Sequence, residues 1–210
     1  IPQELALTIA SEALQLEHRN ISMNDFIGVL VEKLRQADIY TLLVKGQGVA
    51  QCYERPLWRA SGDIDLFLSE SNYYKAKAYL TPLASNIHEE DIKRLHLSMT
   101  IDSWEVELHG TLHGDLTRSI DKTIDKVQED VFYGGAVRSW INGNTQIFLP
   151  RADEDIVIVF AHILQHLFKS GIGLRQICDW CRLLWTFRSS INISLLKKRL
   201  HKMGVMSEWK

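Results

Sequence analysis

The segment Asp63-Ile64-Asp65-Leu66-Phe67-Leu68 constrains this chain more than any other. Acidic and apolar residues alternate, then give way to an unbroken apolar run. A period of two belongs to a strand, whose successive side chains point to opposite faces. A strand here buries Ile64 and Leu66 on one face and sends Asp63 and Asp65 together to the other. Two such carboxylates lie roughly 6–7 Å apart at Cβ and can share one divalent cation. A third carboxylate from a neighbouring strand completes a pair of cation sites about 3.5–4 Å apart. Asp-x-Asp alone is common on solvated strands, so the flanking segments decide its meaning.

Upstream, Tyr40 to Lys45 reads as a buried strand that ends in Gly46-Gln47-Gly48. A short helix follows through about Tyr53, and Pro56 stops it. A glycine turn leading into a helix lets backbone N–H groups approach a phosphate. Downstream, Ile92–Ile101 and Trp104–Gly110 read as two strands joined by a turn at Asp102-Ser103. The second places Glu105, Glu107 and His109 on one face, more acid than a simple core strand tolerates. Alternation leaves both glutamates eligible as the third carboxylate.

Elsewhere the periodicity predicts helices over Gln3–Arg19 and Asn24–Ala37, with Ser22 and Asp25 as a capping-box-like start to the second. Ser71 is expected to cap a helix through Leu80, and a further helix spans Asp115–Val131. Asn142-Gly143 marks a hairpin between Val137–Ile141 and Thr145–Leu149. After Pro150 the pattern turns helical: Asp153–Lys169, Leu174–Arg188, and a third helix capped by Ser194. The expected class is α+β, a small mixed sheet flanked by helices and followed by a helical region. The boundary falls near residue 150, giving parts 1–150 and 151–210.

Composition excludes several classes. With 46% hydrophobic and 24% charged residues the chain is that of an ordinary soluble globular protein. No apolar run approaches the roughly 20 residues of a membrane span, and no secretory leader is visible, so a cytoplasmic protein without membrane contact is expected. A net charge of -2 with no dense Lys/Arg run disfavours a long nucleic acid as partner. Cys52, Cys178 and Cys181 make no disulfide framework. Cys178-x-x-Cys181 lies in a helix without two further ligands and reads as structural core.

In order, Lys45-Gly46, Tyr53, Arg59, Asp63-Ile64-Asp65-Leu66, Glu107-Leu108-His109, then His166, Leu174-Arg175 and Asp179 form a set spanning roughly residues 38 to 185. That set resembles the bacterial family of uncharacterised nucleotidyltransferases within the DNA-polymerase-β-like superfamily. Two positions depart from the pattern: Gln47 stands where a small residue is usual, and Gly110 where an aromatic often follows the histidine. The resemblance implies the minimal nucleotidyltransferase fold, with Asp63 and Asp65 as metal ligands for Mg²⁺ or Mn²⁺. It favours Glu107 over Glu105 as third carboxylate and general base. The implied reaction moves a nucleoside monophosphate from an NTP to a hydroxyl of a small molecule or protein by a two-metal mechanism. The competing readings are an inactive nucleotide-binding or regulatory module and a metal-dependent phosphohydrolase.

Lys45, Gly46, Gly48 and Arg59 are candidates for holding the triphosphate, Arg59 through its bidentate fork. Arg59 could instead neutralise Asp63 or Asp65. His166 and Arg175 are candidates for contact with the nucleotide from the helical region. His162 and His166 are spaced for a metal but lack a third ligand, and Arg175 could simply pair with Asp179 four residues on. Trp180 and Trp185 read as core, leaving Trp58 as the one tryptophan placed to meet a base.

Overall fold

The computed structural model of the chain describes residues 2–169 and 171–209. Among these, helices α1 (Gln3–Gln36), α2 (Gly46–Ala50), α3 (Glu70–Leu80), α4 (Arg118–Phe132), α5 (Ala152–Lys169), α6 (Leu174–Phe187), α7 (Ile193–Met203) and α8 (Met206–Trp209) accompany seven strands. Strands β1 (Leu42–Val44), β2 (Asp63–Phe67), β3 (Asn86–Ile87), β4 (His96–Ile101) and β5 (Trp104–His109) form a mixed sheet in the order β1-β2-β5-β4-β3. Strands β6 (Val137–Asn142) and β7 (Thr145–Pro150) pair separately as a hairpin. The expected α+β architecture is what the chain adopts.

The alternation in β2 and β5 divides the sheet into two faces. Ile64, Leu66, Val106 and Leu108 point into a core closed by Met23, Ile27 and Leu34 of α1 and Tyr73, Ala76 and Leu80 of α3. On the other face Leu42, Val44 and Phe67 meet Ile120 and Val127 of α4 and the buried run Ile156–Phe160 of α5. The acidic positions of β2 and β5 share this second face, beside the helices rather than in open water.

Several boundaries differ from the sequence reading. One continuous helix replaces the expected pair before residue 37. No proline lies within it, and the buried stripe Met23, Ile27, Leu30, Val31 and Leu34 prolongs the helical period through the supposed cap at Ser22. Leu5 and Ile9, on the N-terminal part of α1, are exposed. The cap of α3 is Ser69 rather than Ser71. Asn192, which accepts from the Leu195 N–H at 3.0 Å, caps α7 in place of Ser194. Cys178 and Cys181 are exposed, not core, because the buried face of α6 runs through Asp179 and Leu183. Trp180 packs on Phe160 with 5.1 Å between ring centroids, whereas Trp185 is exposed beneath the guanidinium of Arg188.

The departure at Gly110 has a steric cause. Leu95, in the left-handed region at φ 48°, lies over this glycine, and its carbonyl accepts from the Gly110 N–H at 2.7 Å. A Cβ on residue 110 would stand 2.5 Å from the Leu95 Cβ, which leaves no room for an aromatic. Gly110→Ala is therefore expected to cost about 1–3 kcal/mol in denaturant unfolding. Gly62→Ala, with nothing within 4 Å of its added carbon, should stay within about 0.5 kcal/mol of the parent.

Candidate active site

The parallel pairing of β2 with β5 sets Asp63 beside Glu105 and Asp65 beside Glu107. Side-chain direction then separates the two glutamates. Glu105 turns outward to the hydroxyls of Ser98 and Thr100 and to His88. Glu107 turns inward: one oxygen from each of Asp63, Asp65 and Glu107 lies within 4.8 Å of the others. The three carboxylates that the resemblance selects are brought together, and the Glu105 alternative is not.

Such a cluster needs compensation. Lys45 Nζ lies 2.5 Å from Asp65 Oδ1, and His109 Nε2 lies 2.8 Å from the same oxygen and 3.3 Å from Glu107 Oε2. Burial alone would raise Asp65, but Lys45 and His109 outweigh it and hold its carboxyl at about 2. Hydrogen bonds from His109 and His96 keep Glu107 well below the usual carboxylate range. Burial and the neighbouring Asp65 push Asp63 up. Burial disfavours charge on Lys45 and His109, yet the surrounding carboxylates raise both. The backbone contributes too. Lys45 sits at φ 55° and Gly46 at φ 33°. For lysine this sparsely populated region costs about 1–3 kcal/mol, and it belongs to the residue whose ammonium enters the acidic cluster.

The loop before Asp63 is held from two sides. Asn20 of α1 donates to the carbonyls of Leu57 and Arg59 at 2.7 and 3.0 Å, and Arg19 reaches the carbonyl of Ser61. Gln47, the unusual residue in the glycine turn, donates to Asn20 Oδ1 at 2.8 Å. From the other side, Arg59 Nε and Nη2 grip the two oxygens of Asp179 at 3.0 and 2.6 Å, and the Tyr53 hydroxyl donates to Asp179 Oδ1 at 2.7 Å. Arg59 thus neither neutralises Asp63 nor Asp65, and Asp179 is engaged by Arg59 and Tyr53 rather than by Arg175. Arg175 instead donates to the Ala60 carbonyl at 3.2 Å from an exposed position.

A cleft of about 690 Å³ opens between this loop and helices α5 and α6. Lys45, Gly46, Arg59, Asp63, Asp65, His166 and Arg175 all line it. Gly48 does not. It is buried in α2, where an added Cβ would stand 3.0 Å from Leu149 Cδ2, so its small size serves packing. Trp58 does not line it either; its indole N–H donates to Glu17 and Arg55 covers its ring. The second cleft, about 650 Å³, lies beyond Lys45 and His162 and is lined by Arg94, His96, His109 and His113. Sequence reading missed Asn20 and His96, which lie outside any acidic or glycine motif, and gave Gln47 no role although it stands in the glycine turn; the tertiary contacts reveal all three.

The fold is shared with nucleotidyltransferases. ANT(2")-Ia, solved in complex with adenylyl-2"-tobramycin, superposes with a TM-score of 0.58 at 9% identity, over 90% of this chain and 99% of that one. An antigenic nucleotidyltransferase-like protein from Paracoccidioides brasiliensis gives 0.52 at 12% identity, over 86% of each chain. No curated protein sequence matches. Residues 1–208 match the model of the uncharacterised nucleotidyltransferase family, and the chain belongs to that family.

His162 lies between the clefts, its Nε2 3.1 Å from that of His166. Burial, followed by the nearby Lys45 charge, pushes it down to about 3. It stays neutral in the folded state while the unfolded chain takes up a proton near pH 6.5. The unfolded state then binds more protons, so stability is lost as pH falls from about 6.5 toward 3. Between about pH 7.5 and pH 5 this amounts to at most about 2 kcal/mol. Denaturant unfolding of His162→Asn and the parent at both pH values should show the smaller loss in the variant.

Proposed function

We propose that this protein transfers a nucleoside monophosphate from a nucleoside triphosphate to a hydroxyl of a small molecule or a protein. One observation carries the reading: Asp63, Asp65 and Glu107 converge within 4.8 Å at the side of a cleft, on a nucleotidyltransferase fold. An all-oxygen donor set of this kind suits Mg²⁺ or Mn²⁺. When bound, such ions polarise phosphoryl oxygens, lower the pKa of an attacking hydroxyl and stabilise the leaving pyrophosphate.

The chain's own residues supply the rest. Asp65 is fixed by Lys45 and His109 and keeps its charge. Glu107 is held ionised by two imidazoles at the side of the cluster nearer the second cleft, and it would serve the acceptor hydroxyl through a bound ion, as a ligand, rather than as a free base. Lys45 and Gly46 line one wall of the first cleft, and Arg175 and His166 line the helical wall, together facing the place of a triphosphate. Arg59, tied to Asp179, positions the loop. The α/β part up to residue 150 provides the carboxylates, and the helical part from 151 closes the nucleotide's open side. The adenylylated small molecule bound to ANT(2")-Ia supports a small-molecule acceptor.

Thermal unfolding with each of the four ribonucleotides plus Mg²⁺ or Mn²⁺ tests the reading. A ligand at about 100 times its dissociation constant should stabilise the protein by roughly 2.7 kcal/mol. Asp63→Asn and Asp65→Asn should fold and lose the Mg²⁺-dependent part of that gain. Asp63→Asn should also melt higher than the parent without ligand, because one of the repelling acids is gone. Arg175→Ala should lose a portion of the gain and keep its metal dependence. Product analysis should find pyrophosphate. Inorganic phosphate would instead mark a phosphohydrolase, and no shift with any nucleotide would mark an inactive module.

A further inference from the structure

Glu107 is also the meeting point of two imidazoles. His96 stands opposite His109 across the antiparallel β4–β5 pair. Their ring centroids are 4.8 Å apart and the planes are inclined by 31°. Nε2 of each ring lies 3.3 Å from the same carboxylate oxygen, Glu107 Oε2. One ligand atom from each of His96, Glu107 and His109 falls within 4.8 Å of the other two. Two nitrogens and an oxygen therefore face one another on a single sheet face. The separation is informative. Donors bound to a tetrahedral ion at about 2.0–2.1 Å lie roughly 3.3 Å from one another.

We propose that His96, Glu107 and His109 form a binding site for a divalent transition-metal ion of the Zn²⁺ or Co²⁺ kind. It is chemically distinct from the all-oxygen set of Asp63 and Asp65, with which it shares Glu107. Imidazole nitrogen favours late first-row ions, whereas Mg²⁺ keeps to oxygen. The register fixes two of the ligands directly opposite each other, and β5 supplies Glu107 and His109 at alternate positions of one face. His109 Nε2 also lies 2.8 Å from Asp65 Oδ1, a hydrogen bond that an ion bound at this nitrogen would replace. His96 and His109 line the second cleft, which leaves the fourth position open to water or to a substrate group.

The test needs no nucleotide, so its outcome is independent of the transferase reading. Metal-stripped protein is titrated with Co²⁺ while its visible d–d absorption is followed, and Zn²⁺ is then added as competitor. One equivalent should bind with the intense bands of a four- or five-coordinate nitrogen-ligated ion, and Zn²⁺ but not millimolar Mg²⁺ should erase them. His96→Gln keeps a hydrogen-bond donor toward Glu107 but is a poor metal ligand. It should weaken Co²⁺ by at least about ten-fold in a protein of unchanged melting temperature. Asp63→Asn, outside the set, and His201→Ala, on the exposed face of α7, should retain the spectrum. The proposal fails if the parent binds no Co²⁺ stoichiometrically, if excess Mg²⁺ displaces it, or if His96→Gln binds as the parent does. It also fails if binding is lost in Asp63→Asn and kept in His96→Gln, which would assign the ion to the all-oxygen set.

Discussion

Three carboxylates gathered beside a hydrophobic core repel one another, and the surrounding structure is organised by how that repulsion is offset. Lys45 and His109 both contact Asp65, the most buried of the three acids. Each counter-charge is delivered by a specific backbone feature. Lys45 reaches inward from a left-handed φ at the end of β1, and His109 comes from β5 two residues beyond Glu107. A buried ion pair of this kind is weak support for stability, because desolvation consumes much of the Coulomb gain. Its effect is to hold Asp65 and Glu107 ionised and in place, an arrangement that costs folding energy.

The second requirement is a fixed loop between the glycine turn and Asp63. Residues 51–62 are largely without regular hydrogen bonding, so other groups must fix them. Asn20, fully buried, satisfies two loop carbonyls, and Asp179 binds Arg59 and Tyr53 together on the opposite side. This explains why Gln47 occupies the turn: its amide reaches Asn20, so turn and loop are tied to the same helix residue. The Arg59–Asp179 pair connects the loop to α6, so the helical wall and the loop leading to the strand aspartates are tied together.

The sequence made the sheet legible because β2 and β5 carry a period-two signal strong enough to assign faces, and faces determine which acids meet. It could not separate Glu105 from Glu107 by alternation, since both project from the same side. The separation comes from where the partner strands end: Glu105 lies opposite Asp63 at the start of β2, near Ser98, Thr100 and His88, while Glu107 lies opposite Asp65 in the interior. The roles of Arg59 and Asp179 were also illegible. They stand 120 residues apart, and a local i,i+4 partner was available in Arg175; only the packing of α6 against the loop shows that the long-range pair wins. The caps of α3 and α7 were each misplaced by two positions because serines and asparagines compete at these starts, and local propensity alone does not rank them.

The two clefts are separated by Lys45 and His162, which line both. Asp63 and Asp65 line only the first, while the imidazoles bonded to Glu107 line only the second. Glu107 therefore bridges the two environments. A group bound in the first cleft meets hard oxygen donors, and one bound in the second meets imidazoles with a shared carboxylate behind them. The neutral state of His162 matters to this division. Burial keeps that imidazole uncharged, so of the two residues that line both clefts Lys45 is the one that carries a charge.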